Sequence, residues 1–146
     1  MISGGCACGR IRFRVALKKL DDVGICHCTA CRKTTGATHV TWATIPKAAF
    51  SWTKGKPGVF RSSHHGRRFL CGTCGTQMVF VTTMDPGNLD ITITALDHAD
   101  RFPPTYHTWT MSKLKWVKLD DGLKRERKER PIHATPRATP RGRTKR

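Results

Sequence analysis

The residues best equipped for chemistry are the cysteines, and none of them stands alone. Cys26, Cys28 and Cys31 form a C-x-C-x-x-C run; Cys6-Ala7-Cys8 precedes it, Cys71-Gly72-Thr73-Cys74 follows it, and these seven are all the cysteines of the chain. Disulfides fit poorly. Seven is odd, and cysteines one or two residues apart bridge only with strain. Close sets of thiolates instead suit zinc, a metal that accepts four of them tetrahedrally. The usual iron–sulfur spacings differ from these.

Two of the groups end in glycine, as Cys8-Gly9 and Cys74-Gly75. A glycine there lets the backbone turn with φ > 0 and bring N–H groups toward sulfur. Cys6, Cys8, Cys71 and Cys74 can then close a four-thiolate site that ties residue 6 to residue 74. Cys26, Cys28 and Cys31 are left as a set of three. Three protein ligands with a vacant fourth position mark a reactive zinc rather than a structural one. Three outcomes stay open for this set: a fourth ligand from outside, an internal one such as His39, or another partition of the seven cysteines. His27 is the nearest histidine. In an extended segment Cys26 and Cys28 share one face and His27 points to the other. Arg32, Lys33 and Thr34 follow the set directly. Zinc with three thiolates carries a net charge near minus one, which adjacent cations would offset while attracting an anionic ligand. The alternative is an ordinary solvated turn.

The elements that must hold these groups are read next. The chain has 146 residues and a net charge of +17. Residues 124–146 hold ten Lys/Arg against two Glu. Residues 1–123 read as one domain, long enough to bury a core. No run approaches the ~18 apolar residues of a membrane helix, and Arg10, Arg12 and Arg14 interrupt any leader-like start. The expectation is a cytoplasmic, reducing compartment.

Arg10 to Val15 alternates charged and apolar residues, as a half-buried strand does. Val23 to Cys28 re-enters as a strand, and Thr29 to Thr35 forms a short helical turn ended by Gly36. His39 to Ile45, Phe50 to Thr53, Val59 to Arg61, Met78 to Thr82 and Leu89 to Leu96 are further strands, with Ser62 to Gly66 a loop. Phe69 and Leu70 lead into the third cysteine group. Tyr106 to Thr110 and Leu114 to Leu119 are the last strand candidates. Trp42, Trp52, Trp109 and Trp116 read as core or strand-face residues. Many short strands without helical periodicity predict a mainly β fold, a compact zinc-binding β-sandwich-like domain of short antiparallel strands. Ala134-Thr135-Pro136-Arg137 repeats as Ala138-Thr139-Pro140-Arg141. Its prolines forbid a stable helix and nothing apolar is available to bury, so 124–146 is expected to be a disordered basic tail. Such a tail either neutralises phosphates in a weak nucleic-acid contact or only solubilises the chain.

The motifs resemble those of the glutathione-dependent formaldehyde-activating enzyme (GFA) family, which shares its domain with centromere protein V. The likeness runs from Gly4 to Gly122. It is carried by Gly4-Gly5-Cys6-Ala7-Cys8-Gly9-Arg10-Ile11-Arg12-Phe13, by Cys26-His27-Cys28-Thr29-Ala30-Cys31-Arg32-Lys33-Thr34-Thr35-Gly36-Ala37, and by Arg68-Phe69-Leu70-Cys71-Gly72-Thr73-Cys74-Gly75-Thr76. Pro104-Thr105-Tyr106-His107 and Trp116 are similar to its C-terminal end. Leu70 departs from the usual aromatic residue there, Thr94 to His98 lacks a common glycine, and a basic run replaces the usual end after Gly122. The resemblance implies two zinc ions per chain. Cys6, Cys8, Cys71 and Cys74 would be the structural set; Cys26, Cys28 and Cys31 would be the catalytic one, its free position taking the thiol of glutathione. The implied reaction is that of a carbon–sulfur lyase, joining glutathione and formaldehyde, or a related small carbonyl, into S-hydroxymethylglutathione.

In that reaction the zinc-bound thiol is deprotonated, adds to the carbonyl carbon, and leaves an alkoxide that needs a proton or a hydrogen bond. Thr34, Thr35, His39 and His65 are the candidates by position. Two other functions compete: a non-catalytic zinc module binding a thiol or a protein partner, and a nucleic-acid-associated protein acting through its tail.

Overall fold

A computed structural model describes residues 1–130. Eleven strands occur among them: β1 (Ile2–Gly5), β2 (Arg12–Val15), β3 (Val23–Cys26), β4 (Val40–Pro46), β5 (Phe50–Lys54), β6 (Gly58–Arg61), β7 (Gly66–Leu70), β8 (Gln77–Thr82), β9 (Asn88–Thr92), β10 (Tyr106–Thr108) and β11 (Lys124–Arg125). One α-helix, α1 (Thr29–Thr35), follows β3. The mainly β expectation is met. The strands form two sheets, ordered β1-β2-β5 and β11-β10-β3-β4-β9-β8-β7-β6.

Strand alternation decides what each face does. In β2, Phe13 and Val15 turn inward and are 1% and 0% exposed, while Arg14 faces solvent. On the large sheet one row of partners runs Ala43, Ile91, Val79, Phe69 across β4, β9, β8 and β7. These residues and Phe13, Val15, Ile45 and Met78 belong to one apolar core. Trp52 of β5 lies 6.0 Å from the Phe13 ring and 6.1 Å from that of Phe69, tying one sheet to the other. Truncating Phe13 to Ala would cost about 3–5 kcal/mol. The neighbouring row, one residue along each strand, runs Thr44, Asp90, Phe80, Arg68. It faces the opposite side, and there the site is built.

Several details differ from the sequence reading. β1 was not expected, because Gly4 and Gly5 weaken a strand pattern; pairing with β2 overrides that, with Ile2 opposite Val15. The stretch Leu89 to Leu96 is extended only to Thr92, and Ile93–Ala95 makes a 3₁₀ turn. β7 starts at Gly66, inside the stretch read as a loop. β10 ends at Thr108 because Trp109 adopts a left-handed φ of 56°. No strand forms over 114–119. Most pairs are antiparallel, but β10 pairs in parallel with both β3 and β11.

The boundary expected at 123 is crossed by ordered structure. β11 pairs Lys124 with Tyr106 and Arg125 with His107. Beyond it the Glu126 N–H donates to His107 O at 2.8 Å, and the Trp109 N–H donates to Lys128 O at 3.2 Å. Lys124–Arg130 is thus a strap laid along the sheet edge rather than the start of a disordered tail. Residues 131–146, with the two Ala-Thr-Pro-Arg repeats, lie outside the described residues. The suggested tail contact with nucleic acid lies largely there too. Among the described residues no helix is long and apolar enough to cross a membrane.

Candidate metal centre and cavity

The structure gathers the cysteines into two clusters, in the partition read from spacing: Cys6, Cys8, Cys71 and Cys74, and Cys26, Cys28 and Cys31. Within each, all sulfurs lie within 4.8 Å of one another. All seven cysteines are free thiols.

The first cluster joins two knuckles of like build. Gly9 and Gly75 both take left-handed φ values, 72° and 76°, as a residue without a Cβ does most readily. The Gly9 N–H donates to Cys6 O, the Gly75 N–H to Cys71 O, and the Ile11 N–H to Cys6 Sγ at 3.2 Å. Ala7 N–H to Thr76 Oγ1 at 3.1 Å stitches one knuckle to the other. Cys6 Sγ and Cys8 Sγ are 3.5 Å apart, and Cys8 Sγ and Cys71 Sγ 3.7 Å. A zinc–sulfur length of ~2.3 Å gives a tetrahedral edge of about 3.8 Å, so the donor set fits zinc. Hydrogen bonds from the Thr76 hydroxyl and backbone pull the Cys74 thiol down to about 5, ready to act as a thiolate ligand.

The second cluster sits where β3 runs into α1. Cys26 ends the strand and Cys28 caps the helix, its sulfur accepting the Cys31 N–H at 3.2 Å. Gly36, in left-handed geometry with φ 65°, closes the other end of α1. Hydrogen bonds from Cys26 and then Cys31 draw the Cys28 thiol down to about 3; the Cys26 thiol is pushed up by the same arrangement. Three sulfurs so arranged fit a metal as well. Among the described residues no fourth His, Cys, Asp or Glu ligand atom joins the set. His39 bonds instead to Thr38 Oγ1 at 2.9 Å.

His27 does point away from the sulfurs. Its side chain is fully buried, and its Nε2 lies 2.9 Å from His107 Nδ1, whose Nε2 lies 2.8 Å from Asp121 Oδ2. The carboxylate fixes the tautomer of His107, which then accepts from His27 Nε2–H. Burial holds His27 down to about 4, so it stays neutral. This chain of rings anchors the loop that carries Cys26 and Cys28.

The three sulfurs open onto a cavity of about 180 Å³. Its walls include Trp42, Phe80, Tyr106 and Trp109, with Arg68, Asp90, Thr44, Thr108 and Glu129 among the polar groups. Arg68 is 4% exposed; its Nη2–H points to Cys31 Sγ at 3.7 Å, and its guanidinium lies 4.7 Å from the centre of the Phe80 ring. Its Nε and Nη1 are buried without a hydrogen-bond partner among the described residues. Asp90 accepts from Thr44 Oγ1 at 2.6 Å, and burial pushes its carboxyl up to about 7. Gly24 lies beneath the Tyr106 ring, where any Cβ would meet ring carbons at 2.4 Å.

The residues expected from sequence to serve the second cluster lie elsewhere. Arg32 binds the carbonyls of His27 and Ser112, at 3.3 and 3.1 Å, and Lys33 is exposed. Thr34 and Thr35 return their hydroxyls to carbonyls of α1, including Cys31 O at 2.7 Å from Thr35. His65 bonds Thr83 at an exposed loop. None of these lines the cavity. The neighbours that sequence reasoning missed are Arg68, Asp90, Glu129, His107 and Asp121. Trp42 and Trp109 are cavity walls rather than plain core residues, and Trp116 is 70% exposed.

The molecule is therefore a two-sheet β protein with one four-sulfur and one three-sulfur cluster that could each bind zinc. The family described as glutathione-dependent formaldehyde-activating enzyme matches residues 1–112, and the chain belongs to that family. The crystal structure of a Rhodobacter sphaeroides protein, a structural genomics target, shares the fold at 18% identity with a TM-score of 0.56, covering 85% of this chain and 98% of that one.

Proposed function

We propose that this chain is a zinc-dependent enzyme of the carbon–sulfur lyase type, joining the thiol of glutathione to formaldehyde to give S-hydroxymethylglutathione. One observation carries the reading: three cysteine sulfurs face a cavity, and no fourth ligand from the described chain closes their set. Cys6, Cys8, Cys71 and Cys74 would hold a structural zinc, and Cys26, Cys28 and Cys31 a second. A zinc bound there supplies one thing, the deprotonation of an incoming thiol at neutral pH.

The chain's own residues do the rest. As the thiolate lone pair forms the C–S bond, the C=O π pair moves onto oxygen. Arg68 holds a permanent positive charge beside Cys31, where it offsets the excess charge of three thiolates and favours the developing alkoxide. Asp90, with its carboxyl near 7, can hand a proton to that oxygen and take it back in the reverse direction. Trp42, Phe80 and Trp109 keep bulk water from the carbonyl. The free thiols suit a reducing cytoplasm.

The test is exchange between ¹³C-formaldehyde and its glutathione adduct, followed by NMR with zinc-loaded protein. The rate should exceed that of buffer alone, and the Cys28→Ser variant should return it to the buffer value. A protein with two zinc ions and no rate above buffer would refute catalysis and leave a thiol-binding module.

A further inference from the structure

The strap lies beyond residue 112, where the family match ends, yet it supplies part of the cavity. Its backbone is fixed at several points: Thr108 Oγ1 donates to Lys128 O at 2.7 Å, Thr110 Oγ1 to Glu126 O at 2.9 Å, and the Trp109 N–H to Lys128 O at 3.2 Å. Arg130 closes its end, stacked 4.5 Å over the Tyr106 ring with Nη1 3.2 Å from Asp22 Oδ1. Between these fastenings Glu129 is held at the mouth. Its Oε2 accepts from the Trp109 indole at 2.9 Å and its Oε1 from the Arg130 N–H at 3.2 Å. A left-handed φ, uncommon for a residue such as Trp109, aims that indole.

The chain carries 27 Lys/Arg and only 10 Asp/Glu, yet two of those acids, Asp90 and Glu129, line this one cavity. Among the described residues the single cation in its wall, Arg68, is turned to Cys31. The rings of Trp42 and Trp109 line the same cavity, beside those of Phe80 and Tyr106, which already carry the Arg68 and Arg130 guanidinium groups. Aromatic faces with carboxylates are the chemistry that recognises a cation. Each oxygen of Glu129 keeps a second lone pair for it.

Resting on the thiol-binding reading above, we infer that Glu129 is a specificity-determining residue whose carboxylate, positioned by the C-terminal strap, receives an ammonium group carried by the thiol substrate. The substrate class is an amino-bearing thiol. Glutathione qualifies through its free amino group, and a thiol with only carboxylates does not.

Calorimetric titration of the full-length, zinc-loaded protein with three small thiols tests this. The probes are cysteamine, 2-mercaptoethanol and 3-mercaptopropionate. Glu129→Gln should lower cysteamine affinity about tenfold, the scale of one charged contact, and leave 2-mercaptoethanol within about twofold. Glu129→Lys should shift preference toward 3-mercaptopropionate. Glu129 is exposed, so both variants should fold, and zinc content checks that they do. Equal losses for cysteamine and 2-mercaptoethanol, or no loss for cysteamine, would overturn the assignment while leaving thiol binding intact. No heat from any thiol with the wild-type protein would remove the thiol reading and this inference with it.

Discussion

The two cysteine clusters use the same ligand atom in opposite settings. The four-sulfur cluster lies where two loops cross, with Cys8 and Cys74 exposed and Cys6 and Cys71 buried. Its neighbours are backbone N–H groups and Thr76. The three-sulfur cluster lies at a strand–helix junction, backed by buried His27 and His107, and faces a cavity with a buried guanidinium. One set offers four sulfurs from its own chain. The other stops at three and collects Arg68, Asp90 and Glu129 around it. On the proposed reading, ligand count and surroundings, not ligand type, separate a clasp from a reactive centre.

The largest effect should come from breaking the clasp. Cys74 is exposed, so Cys74→Ser removes one sulfur of that cluster with no packing change of its own. Since structural zinc sites in small domains contribute on the order of 10 kcal/mol to folding, the variant should lose both zinc ions and its cooperative thermal transition. Cys28→Ser should lose one zinc and all activity while keeping a cooperative melt. If circular dichroism and metal analysis find the two variants alike, the division of roles between the clusters is wrong.

Within the cavity, Arg68→Met should cut the exchange rate by roughly 100-fold or more, the scale for removing a charge-stabilising donor, with zinc content unchanged. An unaffected rate would strike Arg68 from the chemistry.

A smaller effect concerns Asp90. Its carboxyl is raised in the fold to about 7 by burial. The folded state therefore binds more protons than the unfolded chain between about pH 4 and 7, and stability falls as pH rises through that window. Asp90→Asn keeps an acceptor for Thr44 and carries no charge. Because Asp90 is only half-buried, the gain in unfolding free energy at pH 8 should be about 1–2 kcal/mol, and it should vanish near pH 4. Denaturant melts at both pH values check this; equal gains would mean that Asp90 does not titrate in the fold.

The clusters were legible in the sequence because their information is local. Close cysteines, Gly9 and Gly75 at their left-handed turns, and Gly36 at the end of α1 all lie within a few residues of what they organise. The cavity was not, because sheet register builds it. Arg68, Phe80, Asp90 and Thr44 come from four strands and meet only through cross-strand pairing. The nearness of Thr34, Thr35 and Lys33 to Cys31 misled for the same reason: helix geometry turns the two hydroxyls back onto α1 and leaves Lys33 in solvent. The strap escaped notice because its charges read as solvated. What holds it is backbone pairing to β10 together with hydroxyl, indole and guanidinium contacts to residues distant in sequence, such as Thr108, Trp109 and Asp22.

The central claim is that the Cys26, Cys28 and Cys31 cluster holds a metal whose last position belongs to the substrate. A crystal structure of the zinc-loaded protein soaked with glutathione, with anomalous data at the zinc edge, tests it most directly. The account predicts one zinc peak at each cluster and the glutathione sulfur as the fourth ligand of the second zinc. A second cluster without metal, or one closed by a side chain of this same polypeptide, would contradict it.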